Sequence, residues 1–148
     1  MLFSELAGEQ IRQIIDCEQV FEAWRSARHE YENRYLGSMY WHRAGERQYL
    51  YRKIGSVRRS LGPRSDDTER VQASFDDGKE RVRLALAGAT ARLTAMAPLL
   101  KALGVGRMPT VAAKIVRRLD QYGLLGRNIK VVGTHARYAF ERFCGVFI

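Results

Sequence analysis

The chain has 148 residues, enough for one ordinary domain, and 46% hydrophobic with 28% charged content is the composition of a folded globular protein rather than a disordered one. A net charge of +9 favours a polyanionic partner, although the same surface also serves solubility. Cys17 and Cys144 stand alone, without a Cys-x-x-Cys pair or a His at zinc-ligand spacing. A zinc module is therefore unsupported, and a reducing cytoplasm is the natural setting. Met1 to Glu5 lacks a basic start and a long apolar core, and no run approaches about 18 apolar residues, so export and membrane spanning are not expected.

From about Gly8 to Tyr35 the larger side chains fall at Ile14, Cys17, Phe21, Trp24, Tyr31 and Tyr35. This three-four spacing predicts a helix with its apolar stripe opposite Glu18, Glu22, Arg25 and Glu32, and a stripe of that kind is a packing surface. Gly37 breaks the pattern. Alternation then predicts strands at Met39 to Arg43 and Gln48 to Lys53, joined around Ala44-Gly45-Glu46, with a third extended piece from Val57 to Leu61 that stops at Gly62-Pro63.

Most of the excess charge sits in this ribbon. Arg43, Arg47, Arg52, Lys53, Arg58, Arg59 and Arg64 face a single acid, Glu46, while Tyr40, Trp41, Tyr49 and Tyr51 interleave with them. Cations neutralise phosphates and aromatic rings stack on bases, so Arg43, Arg47, Tyr49, Tyr51, Arg52, Lys53, Arg58 and Arg59 are the candidate nucleic-acid contacts. A solvated charged face over an aromatic core is the competing reading.

Asp66, with Glu69 three residues on, predicts a helix start, and the helix reaches about Leu103. Phe75, Val82, Ala89, Met96 and Leu103 recur every seven residues, with Leu86, Leu93 and Leu100 between them. Such a seam needs a partner: the first helix folded back antiparallel, or a second copy. Pro98 is expected to bend or break it. After the Gly104-Val-Gly106 loop, Pro109 opens a helix to Leu119 or Tyr122, with Val111, Ile115 and Leu119 inward, ended by Gly123. Lys114, Arg117 and Arg118 are read as solvated.

The last segment, Asn128 to Glu141, reads as a short buried strand at Ile129 to Val132, a Gly133-Thr134 turn, and a helix with Thr134 as cap and Ala136, Phe140 and Phe143 as its apolar face. Amides at a helix start hold anions, so Gly133 and Thr134 are the candidate phosphate-binding residues. The same turn also occurs in many proteins that bind nothing there.

Leu119-Asp120, Gly123-Leu-Leu-Gly126, Val131-Val-Gly-Thr-His-Ala136, Tyr138-Ala139, Glu141 and Gly145-Val146, with Tyr49-Leu-Tyr51, Ser60 to Ser65 and Thr68-Glu69 upstream, resemble a bacterial family of the polymerase-β-like nucleotidyltransferase superfamily. The resemblance implies a nucleoside triphosphate held at the Gly-Thr turn and two magnesium ions held by an Asp-x-Asp pair on the next strand. No such pair is present in this sequence. The resemblance thus supplies half of a site, and the expectation is a chain truncated before its metal ligands and inactive alone, with a missing C-terminal domain or a homo-oligomer completing it.

Asp66-Asp67 and Asp76-Asp77 do not replace that pair, because helical neighbours diverge by about 100°. His135 beside the turn, and His29 and His42 elsewhere, are read as structural polar residues, so no residue is assigned a catalytic role. The expected architecture is α+β and mainly helical. Residues 1–104 carry long helices and the basic hairpin at about 39–62, and residues 105–148 carry a helix and the first βα unit of a nucleotidyltransferase-like domain. The alternative function is a noncatalytic nucleic-acid-binding or protein-interaction module acting through the hairpin.

Overall fold

The structure, a computed structural model, describes residues 4–147. Residues 1–3, which belong to the no-export reading, and Ile148 lie outside the described part. The chain divides into two units, Gln19–Leu93 and Met1–Glu18 with Thr94–Ile148, a different cut from the one expected at residue 104. It is mixed α+β and 61% helical. Among the described residues no helix is long and apolar enough to cross a membrane.

In the unit of residues 19–93, the first helix, α1 (Gly8–Glu30), runs out through a π-helical turn, Tyr31–Tyr35. Gly37, at φ 86°, then releases the chain into β2 (Ser38–Ala44), β3 (Arg47–Ile54) and β4 (Val57–Pro63), an antiparallel sheet in the order β2-β3-β4. Gly45 and Gly55 are the first residues of its two-residue turns, with φ of 62° and 57°, the place where tight hairpins require glycine. The register pairs Tyr40 with Tyr51, Trp41 with Leu50 and His42 with Tyr49. Across the other edge Arg52 faces Arg59 and Lys53 faces Arg58, while Leu61 is an extra residue that bulges between the Leu50–Gly62 and Tyr51–Ser60 pairs.

Alternation sorts the sheet into two faces. Met39, Trp41, Leu50 and Arg52 share the inner one, where Leu50 is 0% exposed. The second long helix, α2 (Asp66–Ala102), is capped one residue earlier than expected. Ser65 Oγ accepts the Thr68 amide at 3.3 Å, Thr68 Oγ1 accepts the Ser65 amide at 2.9 Å, and the Ser65 carbonyl takes the first helical bond from Glu69 at 2.9 Å. That reciprocal pair satisfies two amides that would otherwise be orphaned.

The heptad seam lies where predicted. Phe75 and Val82 are buried, and Leu86, Ala89 and Leu93 are half-buried. Phe75 of this seam meets the π-helical turn that follows α1, its ring 5.8 Å from that of Tyr35; beside it Arg81 pairs with Glu30 at 2.6 Å and Lys79 donates to the Gly37 carbonyl. Gly78 is there because a side chain at that position would overlap the Tyr35 ring.

In the other unit, Gln10 closes the start of α1 by accepting the Ala7 amide at 2.7 Å, and its own amide donates to the Leu103 carbonyl at 2.7 Å. The seam residues Met96, Leu100 and Leu103 are half-buried. The helix passes Pro98 without a break and stops at Gly104, φ 72°, where the Val105 amide reaches back to the Leu100 carbonyl at 3.0 Å. Helix α3 is Thr110–Gln121, with Pro109 as its cap rather than within its first turn. Its inner face is also corrected. Val111 is 70% exposed and Ile115 is exposed as well, and the half-buried set is Ala112, Val116 and Leu119.

The expected strand at Ile129 to Val132 does not form. Among the described residues its one ladder contact is a single bridge from Leu125 to Ile129, the Leu124 carbonyl accepts both the Asn128 and Ile129 amides, and Val132 is 78% exposed. A 3-10 turn, Gly133–His135, leads to α4 (Arg137–Cys144). Strand β5 (Val146–Phe147) pairs antiparallel with β1 (Ser4–Glu5). The buried face of α4 is held by charge, since Glu141, 5% exposed, pairs with Arg107 and Arg137. Phe140 and Phe143 point to solvent.

Candidate nucleic-acid interface

The outer face of the β2-β3-β4 sheet collects the side chains that alternate with Leu50. In β2 these are Tyr40 and His42, in β3 Arg47, Tyr49, Tyr51 and Lys53, and in β4 Arg58 and Ser60. The three tyrosines are half-buried, and His42, Arg47, Lys53 and Arg58 are exposed. Cross-strand pairing brings the rings together: Tyr40 and Tyr51 stack with centroids 6.2 Å apart, and His42 meets Tyr51 edge-on at 5.7 Å. The Arg58 guanidinium lies over Tyr51, 4.8 Å from its centroid. None of the strand residues on this face is a carboxylate, so an approaching anion meets no negative charge from them.

The structure therefore unites Arg47, Tyr49, Tyr51, Lys53 and Arg58 and separates the other expected contacts from them. Arg52 belongs to the inner face. Its terminal nitrogen donates to the Arg34 carbonyl at 2.9 Å and its guanidinium lies over Phe75 at 5.4 Å. It is spent on holding the sheet to the helices, and its Nε is buried without a partner. Arg59 stands opposite Arg52 and so on that same inner side. Arg43 pairs with Gln48 there, near the hairpin end, its Nε donating to the Gly45 carbonyl at 3.2 Å.

Sequence reasoning undervalued His42. Its address two residues from Tyr40, on the same face of an alternating strand, was the available signal.

Gly133 and Thr134 belong to the other unit. Gly133 has φ 74°, and the Ala136 amide bonds to its carbonyl at 3.0 Å. Ala136, not Thr134, is the cap of α4, and no side-chain cap bond is made. The amides of Gly133 and Thr134 consequently open a 3-10 turn rather than the helix.

No family model, no curated protein and no solved structure matches this chain. The likeness in sequence thus stays a reading of residues.

The magnesium that likeness implies was tested against the carboxylates present. Among the described residues no three His, Cys, Asp or Glu side chains come together. Asp66, Asp67, Asp76 and Asp77 are exposed along one helix, and buried Glu141 is engaged by two arginines. Two-metal chemistry needs converging carboxylate oxygens. These residues do not fit it, and no step is derived through a metal.

Proposed function

We propose that this chain binds single-stranded nucleic acid on the outer face of the β2-β3-β4 sheet. The observation that carries the reading is the stacked Tyr40–Tyr51 pair with Arg58 over Tyr51, on a face whose exposed cations are Arg47, Lys53 and Arg58. Every base has a face that stacks on a tyrosine ring or a guanidinium plane, and every linkage carries a phosphate for the cations, so such a face accepts a strand with little dependence on its sequence. A duplex hides its base faces and would use the cations alone.

Equilibrium binding of a single-stranded oligonucleotide, followed by fluorescence anisotropy across a salt series, tests the reading. Tyr51→Ala should weaken binding by about 1–3 kcal/mol, and Arg58→Gln should make the salt slope shallower by roughly 0.7. Wild-type affinity left unchanged by both variants would overturn it.

Nucleotide transfer is the second reading, favoured by one observation, the positive-φ Gly133 that opens the 3-10 turn leading into α4. On that reading Gly133 and Thr134 contact a nucleotide phosphate while the chain alone transfers nothing. Magnesium-dependent incorporation of labelled nucleotide above that of a Gly133→Pro control would refute the inactive half of it.

A further inference from the structure

At the Gly45-Glu46 turn of the β2–β3 hairpin a cleft of about 510 Å³ is lined by Arg43, Glu46, Arg47, Gln48, Pro63 and Arg64. Three arginines line it, and two of them are hydrogen-bonded within the protein. The Arg43 Nε donates to the Gly45 carbonyl at 3.2 Å. Arg64 is held by Gln48 Oε1 at 2.6 Å and Glu69 at 2.7 Å and lies over the Trp41 ring at 5.2 Å. A guanidinium held in this way loses little freedom when it binds a phosphate oxygen; in Arg64 the Nε and Nη1 are already engaged and Glu69 offsets part of its charge.

The position of the cleft narrows the ligand further. Arg47 lines the cleft and pairs with Ala44 on the face that carries Tyr49 and Tyr51. It is the residue shared by the stacking surface and the cleft, while Arg43 and Gln48 come from the opposite face. A strand laid along the tyrosines toward the turn passes Arg47 and runs off the sheet at this point.

We infer that the cleft is a binding site for the terminal phosphomonoester of a nucleic-acid strand, an inference that rests on the sheet-face reading above. A terminal phosphomonoester carries about −1.5 to −2 charge and three acceptor oxygens, whereas an internal phosphodiester carries one charge. The arrangement of Arg43, Arg47 and Arg64 therefore rewards the former. Glu69 is occupied by Arg64, which leaves Glu46 as the carboxylate that opposes an anion in the cleft.

The full-length chain should be titrated with oligonucleotides of one sequence ending in hydroxyl, 5′-phosphate or 3′-phosphate, at one fixed salt concentration. One phosphorylated form should bind roughly tenfold tighter than the hydroxyl form. Arg43→Gln should collapse that ratio toward one, and Glu46→Gln should widen it. Equal affinity for all three forms in the wild-type chain, or a preference that survives Arg43→Gln, overturns the cleft while leaving the sheet reading intact.

If no oligonucleotide binds, the sheet reading has failed, and the cleft is judged by inorganic phosphate alone. Phosphate should then shift the Nε–Hε resonances of Arg43 and Arg64 and leave that of Arg12 in place. Unshifted Arg43 and Arg64 resonances overturn the inference.

Discussion

Replacing Arg52 with Gln removes the bonds to the Arg34 and Leu36 carbonyls and the cation over Phe75. A loss of about 1–2 kcal/mol of stability is expected, read as a lower denaturant midpoint, with the salt slope of nucleic-acid binding unchanged. Arg58→Gln should do the reverse, because Arg58 is exposed and its guanidinium lies over Tyr51 on the outer face. A salt slope altered by Arg52→Gln as much as by Arg58→Gln would show that alternation does not sort the two. The cysteines differ in a related way. Burial pushes the Cys17 thiol up, and the nearby Arg142 opposes it to a lesser degree. Since the folded state disfavours the thiolate, the contribution of Cys17 to stability is whole below the thiol's ordinary range and is lost as pH rises through the raised value. At mildly alkaline pH iodoacetamide should label exposed Cys144 faster than Cys17, as peptide mass spectrometry would resolve.

Among the elements, the sheet depends most on Leu50, which is fully buried at its centre. Leu50→Ala should cost about 2–5 kcal/mol and loosen the platform under Tyr49 and Tyr51. A midpoint shift no larger than that of an exposed control such as Leu84→Ala would contradict this placement. The three strands and both long helices were legible in the sequence, because two-residue alternation and the seven-residue seam each imply one geometry. Which cations would meet was less legible, since Arg52 and Lys53 are adjacent and only the pairing register with buried Leu50 tells their faces apart. On α3 the expected set Val111, Ile115, Leu119 and the observed set Ala112, Val116, Leu119 both have helical spacing and share Leu119. Periodicity does not choose between neighbouring apolar arcs; the packing does, and it chose the second. The run Ile129, Val131, Val132 failed as a strand for a different reason. β-branched residues favour extended chain when a neighbouring strand receives their backbone groups, and here the Leu124 carbonyl captures the Asn128 and Ile129 amides in a local turn.

For the molecule as a whole, hydrogen exchange should follow that division. The backbone of residues 130–132 belongs to no helix or ladder, so the Val131 and Val132 amides should exchange quickly, while Leu86 and Leu93 inside α2 stay protected. Comparable protection at all four amides would show that these valines are held by more than the local turn.

The Leu61 bulge carries a further consequence, for the protein at high concentration. Strand β4 is one of the two edges of its sheet, and an edge that runs straight offers its free amides and carbonyls to another molecule. One surplus residue bends and twists that edge, Pro63 withholds a donor at its end, and Arg58 and Arg59 add like charge along it. Deleting Leu61 leaves Gly62 opposite Leu50 and Ser60 opposite Tyr51, so both halves of the ladder keep their partners while the edge straightens. Such a variant should retain its circular-dichroism spectrum yet scatter light at concentrations where the parent stays clear, most of all in salt strong enough to screen the two arginines.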